Sequence, residues 1–152
     1  MNLQDFAAVE PQHFEAEFPE EGSGFWITLR YLPAEELRRL QRDAANKSLV
    51  IKGGQVRSKN EEGQALINDA LARLIVAWRG FTPRLAASLV PGLKVGAIEK
   101  ALKKEGLTEI PCEEENKLFL VRQVHGLAGF IETNSAEAAN FQAEELEAQI
   151  KN

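Results

Sequence analysis

Residues 12–31 alternate between apolar and polar side chains with the two-residue period of a β-strand, and no other feature of the chain constrains its fold as strongly. Pro19–Gly24, a segment rich in turn-forming residues, divides this stretch into two runs. One face of each run is apolar or aromatic, namely Phe14, Ala16 and Phe18 in the first and Phe25, Ile27, Leu29 and Tyr31 in the second. The pattern predicts a β-hairpin. Because a lone hairpin is marginally stable in water, its aromatic face has to pack on the rest of the chain.

After Pro33 the apolar residues recur every three or four positions, which is the period of an α-helix. The strongest stripe follows a capping-box pattern at Ser58-x-x-Glu61 and predicts a core helix that ends at Gly80. This stripe consists of Ile67, Leu71, Leu74 and Trp78. Further elements are expected as helices from Pro33 to about Ala44 and at 82–89, 95–105, 113–131 and 134–150, with a short second hairpin around Gly53-Gly54. Gly126 and Gly129 weaken the helix at 113–131, so a break is expected near them.

With 152 residues the chain has the size of one domain. We expect an α+β fold, mainly α, in which an N-terminal β-hairpin (1–31) packs on a bundle of about five helices (32–152). In the last helix, a narrow stripe of Ala139, Ala143, Leu146 and Ile150 faces one way, and Phe141 lies about 200° from Ala139 on the helical wheel. Phe141 is therefore a candidate partner contact. The alternatives are a helix packed on two sides and a lone exposed aromatic residue.

The sequence contains no recognisable catalytic or metal-binding motif. Cys112 is the single cysteine, which excludes an internal disulfide, and we expect it to serve as a small buried hydrophobe. His125 lies ten to twelve residues beyond Glu113–Glu115, about 15–18 Å along a helix axis, which is too far to share a metal ion or a proton. The glycine-containing stretches match neither the P-loop nor the dinucleotide pattern. We therefore expect no catalytic residue, metal, cofactor or small-molecule substrate, and a binding or assembly protein rather than an enzyme.

The net charge of −5 is distributed unevenly along the chain. Residues 30–59 hold eight basic and three acidic side chains, whereas both ends of the chain are acidic. The candidate basic patch comprises Arg38, Arg39, Arg42, Lys52 and Arg57. Such a patch is typical of a solvated helix and loop, of a protein-binding surface or of a nucleic-acid contact. The acidic ends would repel phosphate and disfavour nucleic acid as the partner.

Targeting signals are absent from the sequence pattern. The N-terminus lacks the basic start and apolar core of a signal peptide. The longest charge-free stretches, 85–93 and 123–131, have nine residues each, whereas a membrane helix needs about 20. We expect a cytoplasmic protein without a membrane segment, in which Cys112 is reduced.

Several short motifs follow one another in a particular order. They are Leu74–Phe81 with its Trp-x-Gly, Ile110-Pro111 leading into the acidic helix start that ends at Asn116, Phe130-Ile131, and a terminal Ala/Glu-rich helix with Phe141. A β-strand and a Leu-Pro-Ala-Glu-Glu-Leu helix start at Leu32 precede them. This order resembles the tail assembly chaperones and related tail accessory proteins of long-tailed phages and prophages. The segment 82–107 is longer than the link that the family has between Trp-x-Gly and Ile-Pro.

The resemblance implies a small, largely helical, non-enzymatic protein of the bacterial host cytoplasm. Such a protein coats the tape measure protein and keeps it soluble until tail tube subunits polymerise around it, and the tail tube protein and a second copy of the chain are further candidate partners. A chaperone for a long amphipathic helix needs a hydrophobic groove. The candidate anchors are Trp78 and Phe81 near that groove, and Phe119 and Phe130, which lie eleven residues apart and so on one helical face. Core packing is the alternative for each of them.

Two other functions stay open at the level of sequence. One is a different structural or accessory protein of a prophage, such as a head–tail or tail component that assembles into oligomeric rings. The other is a nucleic-acid-binding regulatory module that uses the basic patch.

Overall fold

The computed structural model describes residues 13–48, 51–52, 55–56 and 60–151. The predicted N-terminal hairpin is confirmed: β1 (His13–Glu17) pairs antiparallel with β2 (Trp26–Arg30), with Glu17 opposite Trp26. The backbone N–H groups of Gly22 and Gly24 both donate to the Glu17 carboxylate, at 2.9 and 2.8 Å. These bonds satisfy backbone donors within the turn and hold its two sides together.

The rest of the described chain is mainly helical, so the expected α+β class is confirmed. The helices are α1 (Ala34–Ser48), α2 (Asn60–Arg73), α3 (Pro83–Leu89), α4 (Val95–Lys104), α5 (Glu114–Gln123) and α6 (Leu127–Lys151). The short second hairpin is confirmed as β3 (Ile51–Lys52) paired with β4 (Gln55–Val56). Thr82 caps α3 by accepting a hydrogen bond from the Leu85 N–H at 3.2 Å. Ser58 of the capping-box pattern lies outside the described residues.

The prediction of one core helix through Trp78 is wrong in its last part. α2 ends at Arg73, and the chain continues as the strand β5 (Ile75–Arg79). β5 pairs antiparallel with β2, which gives a three-stranded sheet in the order β1-β2-β5. Ile75, Val76 and Trp78 belong to the residue types that favour strands. In the ladder with β2, Trp78 lies opposite Ile27 and Ile75 opposite Leu29. Tertiary pairing therefore outweighs the helical spacing of the side chains.

A second correction concerns the end of the chain. The break near Gly126 is confirmed, because α5 ends at Gln123 and Gly126 adopts a positive φ of 84°. A new helix start at Asn134, however, is wrong, since α6 is continuous from Leu127. The Asn134 side chain donates to the carbonyl oxygen of Phe130 at 2.8 Å, one turn back within the helix.

The inner face of the sheet packs on the helices, as the aromatic face of the hairpin requires. The buried cluster joins Phe18, Phe25, Ile27 and Leu29 of the hairpin region to Leu71, Leu74, Ile75, Phe81, Leu120, Val124, Leu127 and Ile131. The Phe25 and Phe81 rings stack with centroids 4.6 Å apart. α6 is also fixed to the link between β2 and α1, because the backbone N–H of Leu32 donates to the carbonyl oxygen of Ser135 at 3.1 Å.

The closest approach between the hairpin turn and the end of β5 depends on a glycine. Gly80 has a φ of 79°, and a Cβ built on it would overlap the carbonyl oxygen of Gly24. Gly92 also has a positive φ, 99°, but a Cβ there meets nothing within 4 Å. Both glycines have a positive φ that other residues rarely adopt, but only at Gly80 is there no space for a Cβ atom.

We expect Gly80→Ala to lower the free energy of unfolding by about 3 kcal/mol, from left-handed strain together with displacement of the hairpin turn. Gly92→Ala, the matched control, is expected to lower it by about 1 kcal/mol from strain alone. Denaturant unfolding of both variants measures the difference, and equal losses would contradict the close packing at Gly80.

Candidate functional site

Trp78 and Phe81, near the end of β5, both pack in the core. Phe81 is 2% exposed and offers no surface to a partner in this conformation. Trp78 is half-buried between Phe25 and Phe81, at centroid distances of 6.0 and 5.4 Å. Its indole Nε1–H donates to the carbonyl oxygen of Ile110 at 2.7 Å. The structure therefore favours the core alternative for both residues.

That hydrogen bond is one of several that close the segment 82–107 at its base. The N–H of Ile110 donates to the carbonyl oxygen of Phe81 at 2.8 Å. The N–H of Gly80 donates to both oxygens of the Glu109 carboxylate, at 3.0 and 3.1 Å. α3 and α4 pack on each other between these points. The segment thus leaves the core and returns to it at one place.

Phe119 and Phe130 do not share a helical face, and the prediction that they do is wrong. Phe119 lies on α5 and is 42% exposed, whereas Phe130 lies on α6 beyond the break. Phe130 is half-buried and contacts the edge of Phe18, with ring centroids 5.0 Å apart. The two aromatic side chains therefore act separately, one on the surface and one at the margin of the core.

Phe141 is 63% exposed on α6, and it is not alone. Leu146 and Ile150, which follow it on the same helix, are 46% and 82% exposed. The last two residues of the narrow stripe on this helix are therefore exposed. Leu146 and Ile150 lie about 40° apart on one side of α6, whereas Phe141 points about 140–180° away from them. We call these two exposed sides of the helix end together the α6-end surface.

The helical repeat shows how the end of α6 differs from its start. Eighteen residues make five full turns, so Glu145 points in the same direction as the buried Leu127, and Gln149 in the same direction as the buried Ile131. Leu146, in contrast, points within about 20° of the buried Ser135 and is still 46% exposed. The end of α6 therefore extends past the described core.

The basic patch is only partly described. Arg38, Arg39 and Arg42 are exposed on α1 and line a shallow cleft together with Glu35. The side chain of Lys52 and all of Arg57 lie outside the described residues. We call these three exposed arginines of α1 the arginine ridge, and Glu35 is the carboxylate beside them. A binding role for the ridge stays a prediction.

A cleft of about 240 Å³ lies between α2 and α5. Its charged lining consists of Asp69, Arg73, Glu114 and Lys117, two carboxylates and two cations that offset each other. An ion pair between Arg122 and Asp69, at 2.8 Å, lies beside it. Neither Cys112 nor His125 lines this cleft.

Other residues with reactive chemistry are scattered. His125 is exposed in the link between α5 and α6, and Cys112 is half-buried before α5. Within the described ranges, no group of three or more His, Cys, Asp or Glu side chains is placed to hold a metal ion. Among the helices of that same part of the chain, none combines the length and apolar character needed to cross a membrane.

Comparison with known proteins gives no family to draw on, since no family model, curated protein or solved structure matches this chain. The α6-end surface is the best candidate site on physical grounds. On one side of it, Leu146 and Ile150 form an adjacent pair of large exposed apolar side chains, and adjoining exposed apolar groups mark protein interaction sites. Phe141 is exposed on the opposite side.

The Cys112 thiol provides a test of the local structure before α5. Burial raises the pKa of Cys112, and the positive charge of Lys117 offsets part of that rise. Since the thiolate is the nucleophile, we expect iodoacetamide to alkylate the folded chain more slowly than the denatured chain at pH 8. The folded rate should still increase with pH where the denatured rate has levelled off, and coincident pH profiles would contradict the burial of this thiol.

Proposed function

We propose that this protein is a non-enzymatic tail assembly chaperone of a phage or prophage, which binds the tape measure protein in the bacterial host cytoplasm and keeps it soluble while the tail is built. The α6-end surface carries the proposal. A tape measure protein is long, helical and apolar along one face, so it aggregates unless that face is covered. Leu146 and Ile150 on one side of α6 can cover part of it by helix–helix packing, and Phe141 can contact a second segment from the other side.

The dimensions of the surface suit that task. Leu146 and Ile150 are one turn apart on the same side of α6, about 6 Å along the axis at 1.5 Å per residue, and a second helix can cross them there. Every apolar square ångström covered contributes about 25 cal/mol. Many weak contacts of this size along a long partner give reversible coating, and tail tube subunits can then displace the chaperone.

The hydrogen bonds at the base of 82–107 also support the proposal. The Trp-x-Gly and Ile-Pro motifs, which carry the resemblance to tail assembly chaperones, contact each other through Trp78 and Ile110. The additional residues between the two motifs form α3 and α4, which pack on each other. Because the segment is closed at its base, it is compatible with an insertion between the two motifs.

Co-expression tests the proposal. We expect the chain to yield a soluble complex with the tape measure protein of the same phage or prophage, which is insoluble when expressed alone. The triple variant Phe141→Ala, Leu146→Ala, Ile150→Ala should lose about 3 kcal/mol of binding free energy, roughly a hundredfold in Kd. Alanine is a strong helix former, so α6 itself should persist, as circular dichroism can verify.

The chain offers a matched control. Val76, Leu107 and Phe119 are also exposed, at 43%, 39% and 42%, and comprise one phenylalanine and two aliphatic residues. Their triple replacement by alanine should leave the complex intact. Failure of the unaltered chain to co-purify with the tape measure protein at low salt would refute the proposed function.

A further inference from the structure

Leu146 and Ile150 form an apolar pair with a carboxylate on each side. Around the helix, Glu147 lies about 60° beyond Ile150, and Glu145 lies about 100° beyond Leu146 in the other direction. All four side chains are exposed. We call these four residues the acidic face of α6. It is a narrow apolar stripe with negative charge along both edges.

A cleft of about 370 Å³ between the start of α3 and the end of α4 has a complementary character. Its apolar lining consists of Pro83, Leu102 and Leu107, of which Leu107 is 39% exposed. Lys103 and Glu99, four positions apart on α4, also line it. We call it the α3–α4 cleft. It offers an apolar lining and a cationic group to a partner.

The surroundings of this cleft are basic. The segment 82–107 holds five basic and two acidic residues, in a chain whose net charge is −5. Within the described chain, the ion pairs engage basic residues of other segments. The five basic side chains are all exposed, namely Arg84, Lys94, Lys100, Lys103 and Lys104. This part of the molecule therefore attracts an acidic partner.

The α3–α4 cleft lies near the hairpin turn. Pro83 follows Gly80 by three residues, and Gly80 is in close contact with Gly24 of that turn. Thr108, which also lines the cleft, precedes Glu109, whose carboxylate accepts a hydrogen bond from the Gly80 N–H. The cleft is therefore held at the turn end of the sheet.

The acidic face of α6 lies beyond the other end of the sheet. α6 passes the hairpin turn at Phe130, whose ring contacts Phe18. It reaches the far end of β2 at Ser135, whose carbonyl oxygen accepts a hydrogen bond from Leu32. From there to Ile150 the helix rises about 22 Å more. One chain thus presents the two surfaces at opposite ends, so they can meet only between copies.

We propose that the acidic face of α6 in one copy docks into the α3–α4 cleft of a second copy. The two aliphatic side chains of α6 then cover the apolar lining of the cleft, and Glu145 and Glu147 approach the lysines of α4. This contact joins two different surfaces, so a pair of copies leaves one of each unused. Further copies add head to tail until the assembly closes into a ring or continues as an open chain.

Charge favours this unlike pairing over the alternatives. Two acidic faces placed together repel each other, and so do two lysine-rich clefts. A nucleic acid would be attracted to the lysines but would leave the apolar lining of the cleft uncovered. A second copy satisfies the charge and covers apolar surface on both partners.

The inference goes beyond the proposed function, but the two share Leu146 and Ile150. The neighbouring copy covers this apolar pair when no tape measure protein is present. A tape measure protein that binds the same pair has to displace the neighbouring copy, and this consequence alone rests on the proposed function.

Two complementary variants test the contact by sedimentation velocity. Leu146→Ala with Ile150→Ala alters the acidic face, and Lys103→Glu with Leu107→Ala alters the cleft at exposed positions. The unaltered chain should self-associate in a series that reaches about 500 μM, since small interfaces of this kind are weak. Each variant alone should associate about tenfold more weakly. Circular dichroism verifies that both variants keep their helices.

A mixture of the two variants identifies which surfaces meet. The first variant retains its cleft and the second retains its acidic face, so the mixture should form dimers of one copy each that do not grow further. A symmetrical contact between two acidic faces would not be restored by mixing. The inference is overturned by a chain that stays monomeric throughout the series, which would leave another polypeptide or a nucleic acid as the occupant. A mixture that associates no better than its components overturns it equally.

A control and the salt dependence complete the test. Val76→Ala with Phe119→Ala removes exposed side chains from β5 and α5 and should leave self-association unchanged. Raising salt from 50 mM to 500 mM should weaken the association of the unaltered chain about fivefold, because exposed charges are screened. Equal weakening by the control pair, or an association that salt strengthens, would contradict the pairing of these two surfaces.

These experiments contain no tape measure protein, so a monomeric chain would refute the inference while the chaperone function stands. Conversely, a chain that assembles as described but never binds the tape measure protein would refute the chaperone function and support the inference. Where both hold, adding the tape measure protein should reduce self-association.

Discussion

The antiparallel pairing of β5 with β2 is the interaction on which the rest of the structure depends. It places β2 in the centre of the sheet and brings Gly80 against the carbonyl group of Gly24. From there Phe81 stacks on Phe25, and Trp78 bonds to Ile110, so that the chain after α4 returns to the sheet. Without this strand the hairpin would be a two-stranded ribbon, and the α3–α4 segment would have no fixed base.

The sheet also determines what α6 can do. Leu127, Ile131 and Ser135 are buried in the first part of the helix, and the carbonyl group of Ser135 accepts a bond from the chain that leaves β2. A helix anchored in this way holds its far end in a defined position. The proposed partner surface lies on a regular element, where side-chain geometry is better fixed than on a loop.

The parts of the fold that the sequence predicts are those determined by local signals. Alternation around Pro19–Gly24 predicts the hairpin, and Thr82-Pro83 and Gly126 mark a helix start and a helix break. β5 could not be predicted in this way, because Leu74 and Trp78 satisfy the helical spacing of the stripe from Ile67. The deciding hydrogen bonds come from β2, about 50 residues earlier in the chain.

The residues of the candidate site, too, could be predicted from the sequence only in part. The helical wheel separates Phe141 from the stripe of the last helix, which identifies it as a contact candidate. It cannot tell that Leu146 and Ile150 are exposed, because a stripe shows which residues share a face and not what lies opposite. Leu146 points within about 20° of the buried Ser135, so its exposure depends on where the core ends along α6 and not on its direction around the helix.

Hydrogen exchange, followed by mass spectrometry with and without the tape measure protein, shows directly whether the end of α6 is the binding element. We expect slower exchange of the backbone amides from Glu137 to Ile150 in the complex, because a bound helix suppresses opening of the end of α6. We expect no change over α5. Protection confined to the arginine ridge of α1, with the end of α6 exchanging as in the free chain, would contradict this role of α6.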